Sequence, residues 1–519
     1  MSTHRLLAKS AGTIGVLTGV SRVLGFVRDL VIATAFGTGV AAEAFVVSFK
    51  IPNLFRDLVG EGAANSSFVP VLTECREKKP EDFWRLVSTL FFALAAVLLI
   101  LSALGVVFAP AVVKAIAPGF AASQDPDKFP LTVRLTRVIF PYLFFIGLSA
   151  WAMGTLNTLK EFTSSALGPP LLNLSMIFFG FFFEKTYGPM ALVLGVLCGG
   201  VLQLGWQIGP LFRKGFRIVK PDFHHPAVKK IGRLLIPRAF GSAFYQINVF
   251  VDSILASFDK IVGVGGQSAL YYSNRLFQLP LAIFGLSLAQ AILPTFSTQM
   301  ARDDVKGFKE TFTMVVSSLM LIVLPASAGL VVLAEPIVRI IFQRGRFDAY
   351  STSITSGALF FYAFGLLSCC LIKILANAFY SMHDTKTPVK VAAFSVVLNI
   401  LLSLLLMRPL KIAGLALASS ISGTVNMALL YYFLRKKVGA IDEKKVLVIF
   451  CKALFAAVAM GLAAFLYNKA VLDTHLSSRR LFQLLYLGAG IGLSGFFYFV
   501  LVFIMKVEQV RKIFAWVKR

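Results

Sequence analysis

The sequence predicts an all-α polytopic membrane protein, with about fourteen transmembrane helices arranged as two pseudo-symmetric six-helix lobes and a C-terminal helix pair. Three observations lead there. The 519 residues are 57% hydrophobic with 50 phenylalanines, and mean hydropathy is +0.79, far above a soluble domain. Apolar runs near the ~20 residues that cross a bilayer recur from end to end. A weak internal repeat relates the first half of the chain to the second.

The clearest runs are 83–109, 131–158, 163–183, 187–211, 308–334, 354–380, 388–407, 411–434, 446–468 and 481–505. Four more polar runs, 8–36, 40–74, 235–258 and 268–299, complete the set. Run length and the lack of two-residue alternation specify helices, because only a helix satisfies its own backbone hydrogen bonds in lipid. The N-terminus carries no short apolar core ending in a small-residue cleavage site, so the first span is expected to stay in the mature protein.

The net charge of +26 comes from 51 Lys+Arg against 25 Asp+Glu. Such an excess can mark a nucleic-acid binder, but here it lies mostly in short connections between spans, where it sets topology. Arg76, Lys78, Lys79 and Arg85, then the stretch from Arg213 to Arg233, then Arg435 to Lys445, fall on alternate connections. Both termini are therefore expected in the cytoplasm. The opposite connections, such as 37–42 and 118–130, are poorer in charge, although Arg344, Arg346, Arg479 and Arg480 run against the pattern. Cys75, Cys198, Cys369, Cys370 and Cys451 show neither metal-ligand nor disulfide spacing and read as packing residues.

The repeat has an offset near 225. Pro110, in Ala109-Pro110-Ala111-Val112-Val113, aligns with Pro336 in Glu335-Pro336-Ile337-Val338; Asn173 aligns with Asn399, and Pro70 with Pro294. The expected organisation is a first lobe over 1–211, a basic cytoplasmic linker over 212–234, a second lobe over 235–438, and the final pair with its tail over 439–519.

Four arginines, Arg22, Arg28, Arg56 and Arg275, lie within or beside apolar stretches. A charge at bilayer depth costs roughly 2.5–3.5 kcal/mol on insertion scales, so a set of them implies a polar interior that meets an anion. The guanidinium fork suits phosphate or pyrophosphate because it donates two parallel hydrogen bonds and keeps its charge. Arg22 and Arg28 are separated by six residues, which places them on helix faces some 120° apart unless Gly25 bends the helix. Asp29, Glu43 and Glu61 complete the candidate substrate-binding set. The alternative is structural pairing, of Arg22 with Glu61 and of Arg28 with Asp29 or Glu43. Asp252 is a lone acid in the seventh span; with Asn399, Ser403 and Ser419 it forms a candidate site for Na⁺ or a proton, the alternative being a helix-packing hydrogen bond. No Walker-type loop, HExxH or nucleophile elbow is present, so the sequence points to transport without ATP, not to an enzyme, and no catalytic residue or cofactor is expected.

Ser21-Arg22-Val23-Leu24-Gly25-Phe26-Val27-Arg28-Asp29, Lys50-Ile51-Pro52-Asn53-Leu54-Phe55-Arg56 with Glu61-Gly62-Ala63, Tyr271-Tyr272 with Arg275-Leu276, and Phe379-Tyr380-Ser381 with Asp384-Thr385-Lys386-Thr387-Pro388 together resemble the MurJ (MviN) family over nearly the whole chain. Members are bacterial lipid II flippases of the multidrug/oligosaccharidyl-lipid/polysaccharide exporter superfamily. The resemblance implies a bacterial inner-membrane location and a role in peptidoglycan synthesis and cell shape. It implies as partners membrane lipids and lipid II, the undecaprenyl-pyrophosphate-linked disaccharide pentapeptide. It also implies that Arg22, Arg28, Arg56 and Arg275 match central-cavity arginines engaging the pyrophosphate, and that the last two spans hold the lipid tail. Glu43 stands where the family often has Asp, Asn274 where it often has an acid, and Ser403 where it sometimes has one. Rival readings are a flippase for another polyprenyl-linked oligosaccharide, a cation-coupled multidrug exporter, whose cavity should be acidic or aromatic, and a non-transporting membrane scaffold with fully paired arginines.

Overall fold

Long apolar segments with few breakers become helices here, and the breaks fall at Pro, Gly or polar clusters. A computed structural model of the chain describes residues 3–55, 65–472, 474 and 479–507, and all regular structure among them is helical. Packing divides the chain into two units, Met1–Lys260 with Arg344–Phe347, and Ile261–Gln343 with Asp348–Arg519.

The first unit contains α1 (Thr3–Phe36), α2 (Val40–Phe55), α3 (Asn65–Lys78), α4 (Pro80–Val107), α5 (Ala109–Ile116), α6 (Lys128–Ile139), α7 (Tyr142–Thr158), α8 (Thr163–Ala166), α9 (Gly168–Phe182), α10 (Glu184–Tyr187), α11 (Met190–Arg213) and α12 (Pro226–Ala256). Its centre is α11 packed on α9 and α7, with α1 laid on α9. Glycines on α11 make that closeness feasible: a Cβ at Gly195 or Gly199 would stand 3.0 Å from backbone Cα atoms of Met176 and Leu172 on α9. The basic connection between α11 and α12 is pinned along α4, where Ser88 Oγ accepts from Val219 N at 3.1 Å and Thr89 Oγ1 from Asp222 N at 2.9 Å.

Two features of this unit depart from the expected organisation. The segment 235–258 was assigned to the second lobe, yet α12 packs against α3, α4 and α5. Two kinds of contact hold it there: Phe250 packs on the Ile51, Ile116, Phe120 and Phe140 cluster, and Ser253 with Ser257 and Asp259 just beyond the helix bond to first-unit groups. Residues 344–347 also join this unit, because Arg346 N donates to Thr34 O at 2.9 Å and the guanidinium stands 4.0 Å from Glu184. Gly37, at φ +59°, permits the approach, since a Cβ there would sit 2.3 Å from Arg346 O. Two of the arginines that run against the charge pattern thus make contacts, Arg346 and also Arg480, which donates to Gln343 O at 2.7 Å.

The second unit contains α13 (Asp259–Val262, at the boundary), α14 (Gly266–Pro280), α15 (Ser287–Ala301), α16 (Val305–Val332), α17 (Ala334–Phe342), α18 (Ala349–Phe364), α19 (Leu366–Ser381), α20 (Lys386–Val438), α21 (Glu443–Tyr467) and α22 (Arg480–Ile504). A π-helical turn, Leu281–Leu286, joins α14 to α15 directly after Pro280, whose missing N–H breaks the regular ladder. α16 packs on α21, and α20 packs on α18 and α19.

The 53-residue α20 would be about 80 Å long if straight, more than twice a hydrocarbon core. It is a helical hairpin. Lys411 takes φ 52°, ψ −131°, and a Cβ on Gly414 would lie 2.3 Å from Leu406 O, so the chain doubles back there. Ser395 Oγ bonds to Ser422 O at 2.9 Å across the two legs, which correspond to the expected spans 388–407 and 411–434.

Among the described residues nine helices are long and apolar enough to cross a membrane, or ten when the bent pair Ala349–Phe364 and Leu366–Ser381 is one span. Dividing α20 at Lys411 adds a pass. The expected spans 8–36 and 235–258 coincide with α1 and α12, and 40–74 includes residues outside the described set.

Candidate functional site

The sequence stretch 21–29 lies within α1, and the structure gives its two arginines different surroundings. Arg22 is exposed and has no ion-pair partner among the described residues. Arg28 is buried at 7% exposure: Nη2 and Nε donate to Asp29 Oδ1 at 2.7 and 3.0 Å, and Nη1 donates to Asn173 Oδ1 at 3.0 Å. Asn173 also donates from Nδ2 to Ser21 O at 3.1 Å, so one amide on α9 ties together both ends of the motif. Gly25 faces this contact, with its missing Cβ 3.6 Å from Asn173 Nδ2. Of the pairings left open for Arg28, Asp29 is the one formed. Arg56 and Glu61 lie outside the described residues.

Glu43, on α2, is instead part of a sealed charge cluster. Lys128 Nζ donates to Glu43 Oε2 at 2.5 Å and to Asp259 Oδ1 and Oδ2 at 2.8 and 2.7 Å, with Glu43 and Lys128 both at 0% exposure. Phe120 places its ring 4.2 Å from the ammonium, and Ser123 Oγ donates to Asp259 Oδ2 at 2.7 Å. Lys50 adjoins this group: Nζ donates to Ser253 Oγ at 3.1 Å, and the carboxylates whose charges reach it are Asp252 and Glu43. Asp252 is therefore not a lone acid; it faces a built-in ammonium. Sequence reasoning missed Lys128, Lys50 and Asp259. The only local signal was a lysine and acids inside connections otherwise poor in charge.

In the second unit, α14 carries Arg275, whose Nη2 donates to Tyr271 OH at 3.3 Å while the guanidinium lies 5.0 Å from that ring. One residue further on, the same helix turns apolar. Leu276, Leu279 and Pro280 line a cavity of about 360 Å³, closed by Pro325 on α16, Met460 on α21 and Ile491 on α22. Two helix-interior prolines, Pro280 and Pro325, thus bend the walls where the cavity opens.

The remaining candidates sit on the α20 hairpin. Asn399 is buried and its Oδ1 accepts from Ser422 Oγ at 3.3 Å, while Ser419 O accepts from the same hydroxyl at 3.1 Å. Ser403 Oγ is fully buried without a hydrogen-bond partner among the described residues. Asp252 belongs to the first unit and these three to the second.

Guanidinium groups such as those of Arg22, Arg28 and Arg275 can donate to an oxyanion, and the residues that follow Arg275 on α14 line an apolar cavity. A family model described as "Lipid II flippase MurJ" matches residues 32–511. A "Probable lipid II flippase MurJ" of Haemophilus influenzae is 37% identical over 473 residues, covering 87% of this chain and 91% of that protein. Its Vibrio cholerae counterpart is 34% identical over 524 residues, covering 98% and 99%. Among solved structures, "Lipid II flippase MurJ, inward closed conformation" superposes with TM-score 0.78 at 25% identity, covering 95% of this chain and 99% of that one. An inward-facing multidrug resistance MATE family transporter of the MOP superfamily superposes at 0.68 with 14% identity, covering 83% and 99%, which bears on the fold alone.

Proposed function

The chain belongs to the MurJ family of lipid II flippases, and from that premise we propose that it moves lipid II from the cytoplasmic to the periplasmic leaflet by alternating access. It is a polytopic membrane protein of a transporter family. In this reading it resides in the bacterial inner membrane with both termini cytoplasmic, as its charge pattern suggests.

The observation that carries the reading is on α14, where Arg275 is followed at once by residues lining the apolar cavity. A substrate with a diphosphate joined to a polyprenyl chain needs that adjacency: a fixed cation for the headgroup and an apolar slot for the tail. Cavity charge lowers the cost of carrying a diphosphate across a low-dielectric core. By the family resemblance Arg22, Arg28 and Arg56 also belong to the proposed substrate-binding set, with Asp29 orienting Arg28. Glu61 stays in the proposed set, whereas Glu43, sealed against Lys128, has a structural role. A coupling cation at Asp252, Na⁺ or a proton, would compete with Lys50 there, so no step is routed through it.

Depleting the protein in cells tests the proposal. Lipid II should accumulate on the cytoplasmic leaflet, and a plasmid copy should clear it while an Arg275→Ala copy should not. Accumulation of a different polyprenyl-linked oligosaccharide, with normal lipid II turnover, would refute the substrate assignment.

A further inference from the structure

The start of α21 and the end of α22 meet at a second cavity, lined by none of the residues assigned to the substrate. Lys444, Lys445 and Lys452 on α21 and Lys506 after α22 line a shallow cavity of about 320 Å³, with Val448 and Val507 in its wall. Lys444, Val448 and Lys452 recur at every fourth position, so they form one stripe along the helix. Lys506 takes the left-handed conformation at φ 53°, which ends α22 beside that stripe. Lys452 Nζ donates to Met505 O at 2.8 Å and so fixes the two helix ends against each other. Neither Lys444 nor Lys506 makes an ion pair among the described residues. Of the acids beside Lys444, Asp442 Oδ1 accepts from Lys445 N at 3.1 Å and Glu443 Oε1 pairs with Arg435 at 2.9 Å; Glu508, near Lys506, lies outside the described residues.

The surroundings point to a lipid. Beyond Lys445 the only charge on α21 is Lys452, which itself lines the cavity, and the helix is apolar from Ala453 on; the cavity thus combines cations with an apolar wall where a basic helix start gives way to an apolar span, the level of lipid phosphates. Its centre is also distinct from the tail slot, because Val448 and Met460 are twelve residues apart, about 18 Å along the helix. We infer that this cavity binds the phosphate headgroup of an anionic glycerophospholipid. The lipid anchors the α21–α22 ends to the leaflet from which they emerge.

The test uses the full chain in detergent micelles, with lipid retention measured by native mass spectrometry. Phosphatidylglycerol should be retained in preference to phosphatidylcholine of matched chains. A Lys444→Gln/Lys506→Gln variant should lose about 25-fold in that preference, at about fivefold per lysine near a surface. Lys444→Arg/Lys506→Arg should keep it. Val448→Glu, which leaves every lysine in place, should weaken phosphatidylglycerol retention by setting a carboxylate inside the cavity. Undiminished preference in both the glutamine double variant and Val448→Glu would overturn the inference. Displacement of phosphatidylglycerol by equimolar inorganic phosphate would show a free-anion site, and lysine-dependent displacement by undecaprenyl pyrophosphate would assign the cavity to the substrate path; either overturns the glycerophospholipid assignment.

Discussion

Replacing Lys128 by Met removes the single ammonium that holds Glu43 and Asp259. Around it the first unit gathers two lysines, buried Lys128 and half-buried Lys50, with three carboxylates, buried Glu43 and Asp259 and half-buried Asp252, a nominal balance of −1 that becomes −2 in the variant. At 2.8 Å and an effective dielectric near 20, each contact from Lys128 is worth about 6 kcal/mol before desolvation is subtracted. Breaking a buried pair from one side leaves the carboxylates unneutralised and costs about 3–5 kcal/mol net. Because these groups tie α2, α6 and the end of α12 together, the loss should appear as lowered thermal stability of the purified protein, by roughly 6–20 °C at about 2–4 °C per kcal/mol. The informative comparison is Lys128→Met/Glu43→Gln/Asp259→Asn, which removes all three charges and should recover most of that loss. A Lys128→Met protein melting within about 2 °C of the parent, or a triple variant no better than the single, would refute the account of the cluster as one charge-balanced unit.

Other expectations follow from single contacts. Arg28→Ala should abolish flipping in cells, read as lipid II accumulation, while the protein still inserts; it should also melt lower, since Asp29 and Asn173 lose their shared donor. Gly414→Ala should cost at least about 1–3 kcal/mol, because its Cβ would sit 2.3 Å from an immovable carbonyl, whereas Gly423→Ala, with 3.8 Å to Cys369 Sγ, should be tolerated in the same melting assay. Asp384 accepts from Lys437 Nζ at 2.6 Å and from Thr387 N at 3.0 Å, and these bonds, the lysine's foremost, hold its carboxyl below the ordinary range. Its stabilisation is thus present above pH ~4 and fades as pH falls below that. Asp384→Asn should cost about 1.5–3 kcal/mol at neutral pH, a difference that shrinks on acidification; a gap that widens toward acid pH would contradict that sign.

By itself the sequence determined the fold class, the course of most spans and the alternation of basic connections, because hydropathy and loop charge are sums over neighbouring residues and need no partner. It also set Arg22 and Arg28 on different faces of one helix, a consequence of helical period alone. Tertiary structure decided what each charge meets. The sequence offered Arg28 two counterions, Asp29 and Glu43; the arginine takes Asp29 and an amide from α9, while Glu43 takes a lysine 85 residues away. Asn173 was legible as a mark of the repeat, not as the clamp on Arg28. α12 packs in the first unit through Phe250 on its apolar core and through specific bonds at Ser253, Ser257 and Asp259, and apolar periodicity does not register the latter. The reason is common to all of these: burial is favoured by any apolar neighbour, so its pattern is written locally, whereas a buried charge or amide is satisfied only by a specific group at hydrogen-bond distance, and packing alone brings that group there.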